Sequence, residues 1–144
     1  MASYNKVNDF VLDLGLEIHD FDSDTLKVAL SDTAPGDETD NPTADGNGEL
    51  SNVTEIDYSN CSSRELTVSD WSVSSGTAKL TIDDLTLTAS GGSVGPFRYV
   101  YIYNDSASND ELIAYFDYGN SVTLNDGDSF ELDPSQSNGV LTIT

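Results

Sequence analysis

Apolar side chains along this chain recur at two different periods. Val7, Phe10, Val11, Leu14 and Ile18 follow one another at spacings of one, three and four residues, with Asn8, Asp9, Asp13 and Glu17 between them. That spacing predicts one apolar face of a short helix. Ser3 or Asn5 can cap its start, and Gly15 weakens it. Two roles are open to the segment: part of the domain's own core, or an arm that orders against a partner. From Leu26 the period drops to two. Leu26, Val28 and Leu30 stand among Thr25, Lys27 and Ser31, which predicts a first, half-buried strand.

Between Ser31 and Glu49 Asp, Gly, Pro, Asn and Thr dominate with hardly an apolar side chain, the composition of a solvated loop. Short strands follow, with apolar positions at Leu66, Val68 and Val73 around Trp71 and then at Ala78, Leu80 and Ile82. Past Asp83-Asp84 the parity shifts by one residue to Leu85, Leu87 and Ala89, the signature of a β-bulge or of a chain exchanging sheets. Gly91-Gly92 and Gly95-Pro96 should break the chain before a strand from Phe97 to Tyr103. In that strand Phe97, Tyr99, Tyr101 and Tyr103 line one face and Arg98, Val100 and Ile102 the other. Leu112 to Tyr118 reads as a further strand ending in a Gly119-Asn120 turn. Asp126-Gly127 between Val122-Thr123-Leu124 and Phe130-Glu131-Leu132 reads as a hairpin, and Val140 to Thr144 as the last strand.

About eight short strands, one N-terminal helix and no alternation of strand and helix predict an antiparallel β-sandwich, of which a jelly roll is one form. The expected layout is an N-terminal helix or arm over residues 1–22 and a β-sandwich over 23–144, a single domain overall.

Composition changes what such a domain can bind. Against 26 Asp and Glu stand five Lys and Arg, a formal charge of −21 on 144 residues. A surface so negative disfavours nucleic acid and anionic membranes while favouring solubility. Cys61 is alone, so it can form neither an internal disulfide nor a thiolate metal site. Residues 1–6 lack the apolar run of a signal peptide, so synthesis in the cytoplasm is expected.

Catalytic chemistry finds little to work with. His19, the one histidine, would have to supply any nucleophile's base, and reads more simply as a surface residue or a cation at a helix end. With so many acids, a carboxylate pair at hydrolase spacing carries no information. No phosphate-binding glycine loop with its lysine is present. An enzyme is therefore not expected, and neither is a cofactor. Calcium is the one ion with suitable hard ligands, in Asp37–Asn41 and Asp45–Glu49, although Pro42 and Leu50 stand where a helix-loop-helix calcium site needs glycine. The Tyr99, Tyr101, Tyr103 stripe offers a stacking platform for sugars or, more simply, half-buried sheet packing.

Several stretches carry a resemblance. They include Asn5-Lys6 through Phe10, His19-Asp20 leading into residues 25–31, Thr33-Ala34-Pro35, residues 89–99, Tyr103-Asn104-Asp105, Asp117-Tyr118-Gly119, residues 121–124 and Gly139 to Thr142. In these the chain resembles small structural proteins of tailed bacteriophages, over most of its length. The resemblance implies a virion protein of the head decoration or cement class, on the outer surface of the capsid, with the major capsid protein as partner and no active site. The resemblance does not fix the contact surface. An N-terminal segment that can order against a partner, beside a compact strand-rich body, suggests that Met1 to about Asp22 reaches a neighbouring subunit while the β domain forms a homo-oligomer, with a trimer favoured. Tyr4, Val7, Phe10, Val11 and Leu14 would then be the contact residues. A tail or fibre module that binds host glycan through the tyrosine stripe is the alternative.

Overall fold

The computed structural model describes residues 2–135 and 139–144; Met1, at the head of the expected N-terminal segment, lies outside them. In chain order the elements are β1 (Ser3–Lys6), α1 (Phe10–Gly15), β2 (Leu26–Ser31), β3 (Glu65–Leu66), β4 (Val68–Ser74), β5 (Thr77–Ile82), β6 (Leu85–Thr88), β7 (Val94–Asn104), β8 (Leu112–Leu124), β9 (Ser129–Leu132) and β10 (Leu141–Ile143). All the ladders are antiparallel, in sheets ordered β1-β8-β7-β2-β3, β10-β5-β4 and β6-β9. The protein is mainly β, as its patterning predicts, and the packing is sandwich-like. Ladders of five, three and two strands do not by themselves make the paired four-stranded sheets of a jelly roll.

The five-stranded sheet is the organising layer because both of its faces carry bulk. Pairing aligns Leu30 with Val100 and Val100 with Phe116, and likewise Val28 with Ile102 and Ile102 with Ala114. This inner face meets Leu80 and Ile82 of β5, Leu87 of β6 and Leu132 of β9 in one apolar cluster with Phe97 and Val94. The exchange anticipated at Asp83-Asp84 is real: β5 pairs in one small sheet and β6 in the other, so the parity shift marks a chain crossing between them.

Three local expectations need correction. Gly95-Pro96 does not end a strand; β7 runs through it, and its ladder to β8 slips in register between Val94 and Phe97. Proline has no N–H to give a ladder, so the slip falls where one donor is missing in any case. Nor is Gly119-Asn120 a turn between strands. One β7 residue, Arg98, lies opposite four of β8 between the pairs Tyr99–Asp117 and Phe97–Val122, a wide bulge in which Gly119 takes φ 79°. Asp126-Gly127 does turn the chain, with Gly127 at φ 90°, but β9 pairs with β6 and not with β8. The turn is held instead to the chain after β6, Gly127 N–H donating to the Ala89 carbonyl at 2.9 Å.

The N-terminal helix is only partly present. Residues 3–6 pair with β8 as an edge strand, and the Val7 amide continues that pairing to the Ile113 carbonyl at 3.1 Å. A helix starting upstream would have to abandon those bonds. What remains is α1, closed after Gly15 by Ile18 N–H donating to the Asp13 carbonyl at 3.0 Å while Glu17 adopts φ 62°.

The loop read as solvated is in large part a lid. Residues 32–60 cross the outer face of the five-stranded sheet, where Ala34, Leu50 and Val53 pack on Ala29, Tyr99, Tyr101 and Tyr103. The loop is pinned at its end. Ile56 N–H donates to the Leu30 carbonyl, Leu30 N–H donates to the Tyr58 hydroxyl at 2.8 Å, and Arg64 lies 3.7 Å over the Tyr58 ring.

Candidate interaction surfaces

Helix α1 spans fewer than two full turns, so it can point only a few side chains at the domain, and its remaining apolar residues stay outside. Phe10 enters the core and Leu14 rests against it, whereas Val11, Leu12 and Leu16 are 60%, 59% and 60% exposed. Of the residues expected to make the subunit contact, Val7 and Phe10 are buried within the domain and are not available to a partner. Leu14 is half-buried, and Tyr4 and Val11 are exposed, Tyr4 standing edge-on to Phe116 at 5.5 Å. Leu12 and Leu16 complete the exposed set and were hidden in the sequence. The three-and-four rhythm assigns the other side of the helix to the core, and only its early termination shows that two apolar stripes share six residues.

Around this apolar face the protein is acidic. A cleft of about 560 Å³ beside α1 is lined by Asp9, Asp13, Asp45, Glu49 and Glu111 with Asn8 and Asn109. Asp9 is structural. Its carboxylate accepts the amides of Gly46 and Gly48 at 2.8 to 2.9 Å, fastening the long loop to the start of the helix. Gly48 has to be small there, since a Cβ would sit 2.8 Å from that of Asp9. Glu111 is buried and accepts from Asn109 through its backbone amide and side-chain amide, both at 3.2 Å. Asp13 is held above the usual carboxylate range, by burial first and then by Asp9, Glu111 and Glu49. Part of one calcium candidate, Asp45–Glu49, lines this cleft, while Glu38 of the other is committed to Thr54. Among the described residues no group of three or more His, Cys, Asp or Glu is arranged to hold a metal ion.

His19 is not a surface cation. It is buried with its ring stacked against Phe10 and Phe21, at centroid distances of 5.5 and 5.8 Å. Its Nδ1 lies 3.1 Å from the side-chain amide nitrogen of Asn104, so Nδ1 accepts and the proton is assigned to Nε2, which is buried without a partner. Burial lowers its pKa, against the pull of Glu111 and Asp24. The two N–H of the Asn104 side chain are shared among His19, the Ile18 carbonyl and Asp24, so the segment from Ile18 to Asp24 is tied to the end of β7. The signal for burial was in the sequence: an aromatic on either side, Phe10 and Phe21, makes a stack for the ring.

Tyr99, Tyr101 and Tyr103 are buried beneath the lid, so the stripe is sheet packing and presents no stacking platform. Cys61 is half-buried, and desolvation raises its thiol pKa, which works against a reactive thiolate.

A second exposed apolar surface lies on the β10-β5-β4 sheet. Register aligns Val73 with Ala78 and Ala78 with Ile143, and the outer two are 69% and 36% exposed. Comparison with known protein families, curated proteins and solved structures finds no match to this chain.

Proposed function

We propose that this chain is a structural component of a bacteriophage particle, a head decoration or cement protein that bridges major capsid protein subunits on the outside of the shell. The observation that carries this reading is the α1 surface: Val11 and Leu12 on a helix too short to bury them, and Leu16 just past its end, are left in water beside the acidic cleft that Asp9 and Asp13 line with Leu12. Exposed apolar residues rimmed by charge are the makings of a protein contact. The acidic rim selects a partner whose apolar patch is flanked by Lys or Arg, and a decoration protein works by such burial without any reaction. The resemblance to small phage structural proteins supports the same reading, and a homo-oligomer, with a trimer favoured, belongs to it.

A glycan-binding tail module would have to use some surface other than the tyrosine stripe. The test of the decoration reading is binding to purified shells stripped of this protein. Removing residues 1–22 would take away β1 and the buried Val7 and Phe10, so point changes at exposed positions are the cleaner probe. Leu12→Asp with Leu16→Asp is expected to lower shell occupancy at least tenfold while leaving the fold intact. Undiminished occupancy would remove α1 as the contact, and absence of the protein from labelled virions would remove the reading altogether.

A further inference from the structure

We propose that the β10-β5-β4 sheet is a self-association surface, and that its occupant is a second copy of this chain. Strand alternation puts Trp71 and Val73 on one face of β4, Ala78 and Leu80 on the same face of β5, and Leu141 and Ile143 on that of β10. The Trp71–Leu80–Leu141 row packs into the main core. The next row, Val73–Ala78–Ile143, continues that apolar face past the point where the body covers it, so Val73 and Ile143 face solvent. The hairpin that carries the row is stiff: Ser75 and Gly76 take φ 51° and 82°, both positive as in a tight two-residue turn whose twist suits antiparallel strands.

The charges select the occupant. Residues 71–82 contain one charged side chain, Lys79, and residues 139–144 contain none, in a molecule of net charge −21. Two copies repel wherever carboxylates face each other, so a lasting contact between them belongs where carboxylates are missing. A cationic partner gains nothing from that face and everything from the acidic rim of α1. The edge is open as well. β4 pairs with β5 on one side, and no strand borders its other side among the described residues. An open edge beside an apolar row allows backbone pairing to add to side-chain burial. Asp70 marks where the contact stops: it sits at the register shift of β4, its carboxylate accepting from the Ser72 hydroxyl at 2.6 Å.

The inference rests on the charge distribution and not on the virion reading. Sedimentation velocity of the full chain, over a range of protein and salt concentrations, tests it. The expected mass is a multiple of 15.4 kDa. Association should tighten about tenfold as salt rises from about 0.05 to 0.5 M, because screening weakens the repulsion between copies. Val73→Asp and Ile143→Asp are each expected to give monomer with an unchanged near-ultraviolet signal from Trp71, which reports the folded core beside the row. A monomer at every concentration and salt would overturn the proposal, as would an oligomer that survives both substitutions. An oligomer lost in Val73→Asp, in a protein that never binds shells, would sustain this inference and sink the virion reading.

Discussion

The two faces of the five-stranded sheet are both buried, yet by different means. On the inner face Leu30, Val100, Phe116, Val28 and Ile102 meet β5, β6 and β9, so side chains of several strands interlock. On the outer face Ala29, Tyr99, Tyr101 and Tyr103 lie under residues 32–60, which bring only Ala34, Leu50 and Val53 as apolar cover. A sheet-covered face can be wholly aliphatic. A face covered by a polar loop does better with tyrosine, whose ring supplies area while its hydroxyl can meet loop and solvent. The outer rings also pack on one another, Tyr101 and Tyr115 stacking at 5.3 Å. Fold stability should therefore reside mainly in the inner face, and the outer face should tolerate polar change more readily.

The largest effect that probes this contrast is a cavity on the inner face. Ile102 is fully buried between Val28 and Ala114 in the ladders. Ile102→Ala is expected to lower unfolding stability by about 2–5 kcal/mol, the range for truncating a large aliphatic in a close-packed core. Urea denaturation measures it. A cost no greater than that of Val53→Ala under the lid would erase the distinction between the faces.

The same contrast explains what could be read from the sequence. The inner face was legible because alternation is a property of the backbone: Leu26, Val28 and Leu30, and then Val100 and Ile102, declare one side of a sheet wherever the partner lies. The exchange at Asp83-Asp84 was legible for the same reason. The lid was not, because a loop rich in Asp, Gly and Asn covers a surface mainly with backbone, and its scattered Ala34, Ala44, Leu50, Val53, Ile56 and Tyr58 make no period. Residues 3–6 were missed because pairing with β8 outbids a helical rhythm, and rhythm alone does not see a strand 110 residues away. At the surfaces, Val11 was legible as an apolar position of the short helix, but its exposure, like that of Leu12, Leu16, Val73 and Ile143, became visible only once the fold left these residues uncovered.

A smaller effect is expected where the inner core ends, at His19. Burial lowers the imidazole pKa below its ordinary 6.5, so the folded state favours the neutral ring and the unfolded state binds more protons. The stability tied to a neutral His19 is complete above 6.5 and is lost as pH falls through the lowered folded value. Asp13 and Asp110, raised by burial, act in the opposite sense: their contribution is complete below the ordinary 3.8 and is lost as pH rises through their raised values. Hydrogen bonds lower Asp57, from Ser59, and Asp117, from Arg98, and their contribution is lost only below 3.8. Between 6.5 and the carboxylate range, the histidine therefore contributes a fall in stability with falling pH. His19→Gln should flatten that part of the melting-temperature profile, and an identical slope in wild type and variant would show that the ring is not kept neutral by its stack.

The smallest effect, and the one whose sign matters most, concerns the outer face. Tyr101 is fully buried, and its hydroxyl has no hydrogen-bond partner. Burial raises the phenol well above its ordinary value of 10, so the group stays protonated at any working pH. A stranded donor costs the free energy of leaving water and gets nothing back. Tyr101→Phe removes the hydroxyl and keeps the ring that stacks on Tyr115 and fills the space under the lid. The expected result is a protein as stable as wild type or more stable by up to about 1 kcal/mol, with an unchanged denaturant slope. A loss of that size would mean that the hydroxyl is satisfied in solution by water entering under the loop. The outer face would then be a wet interface, and the contrast with the inner face would be one of hydration as well as packing.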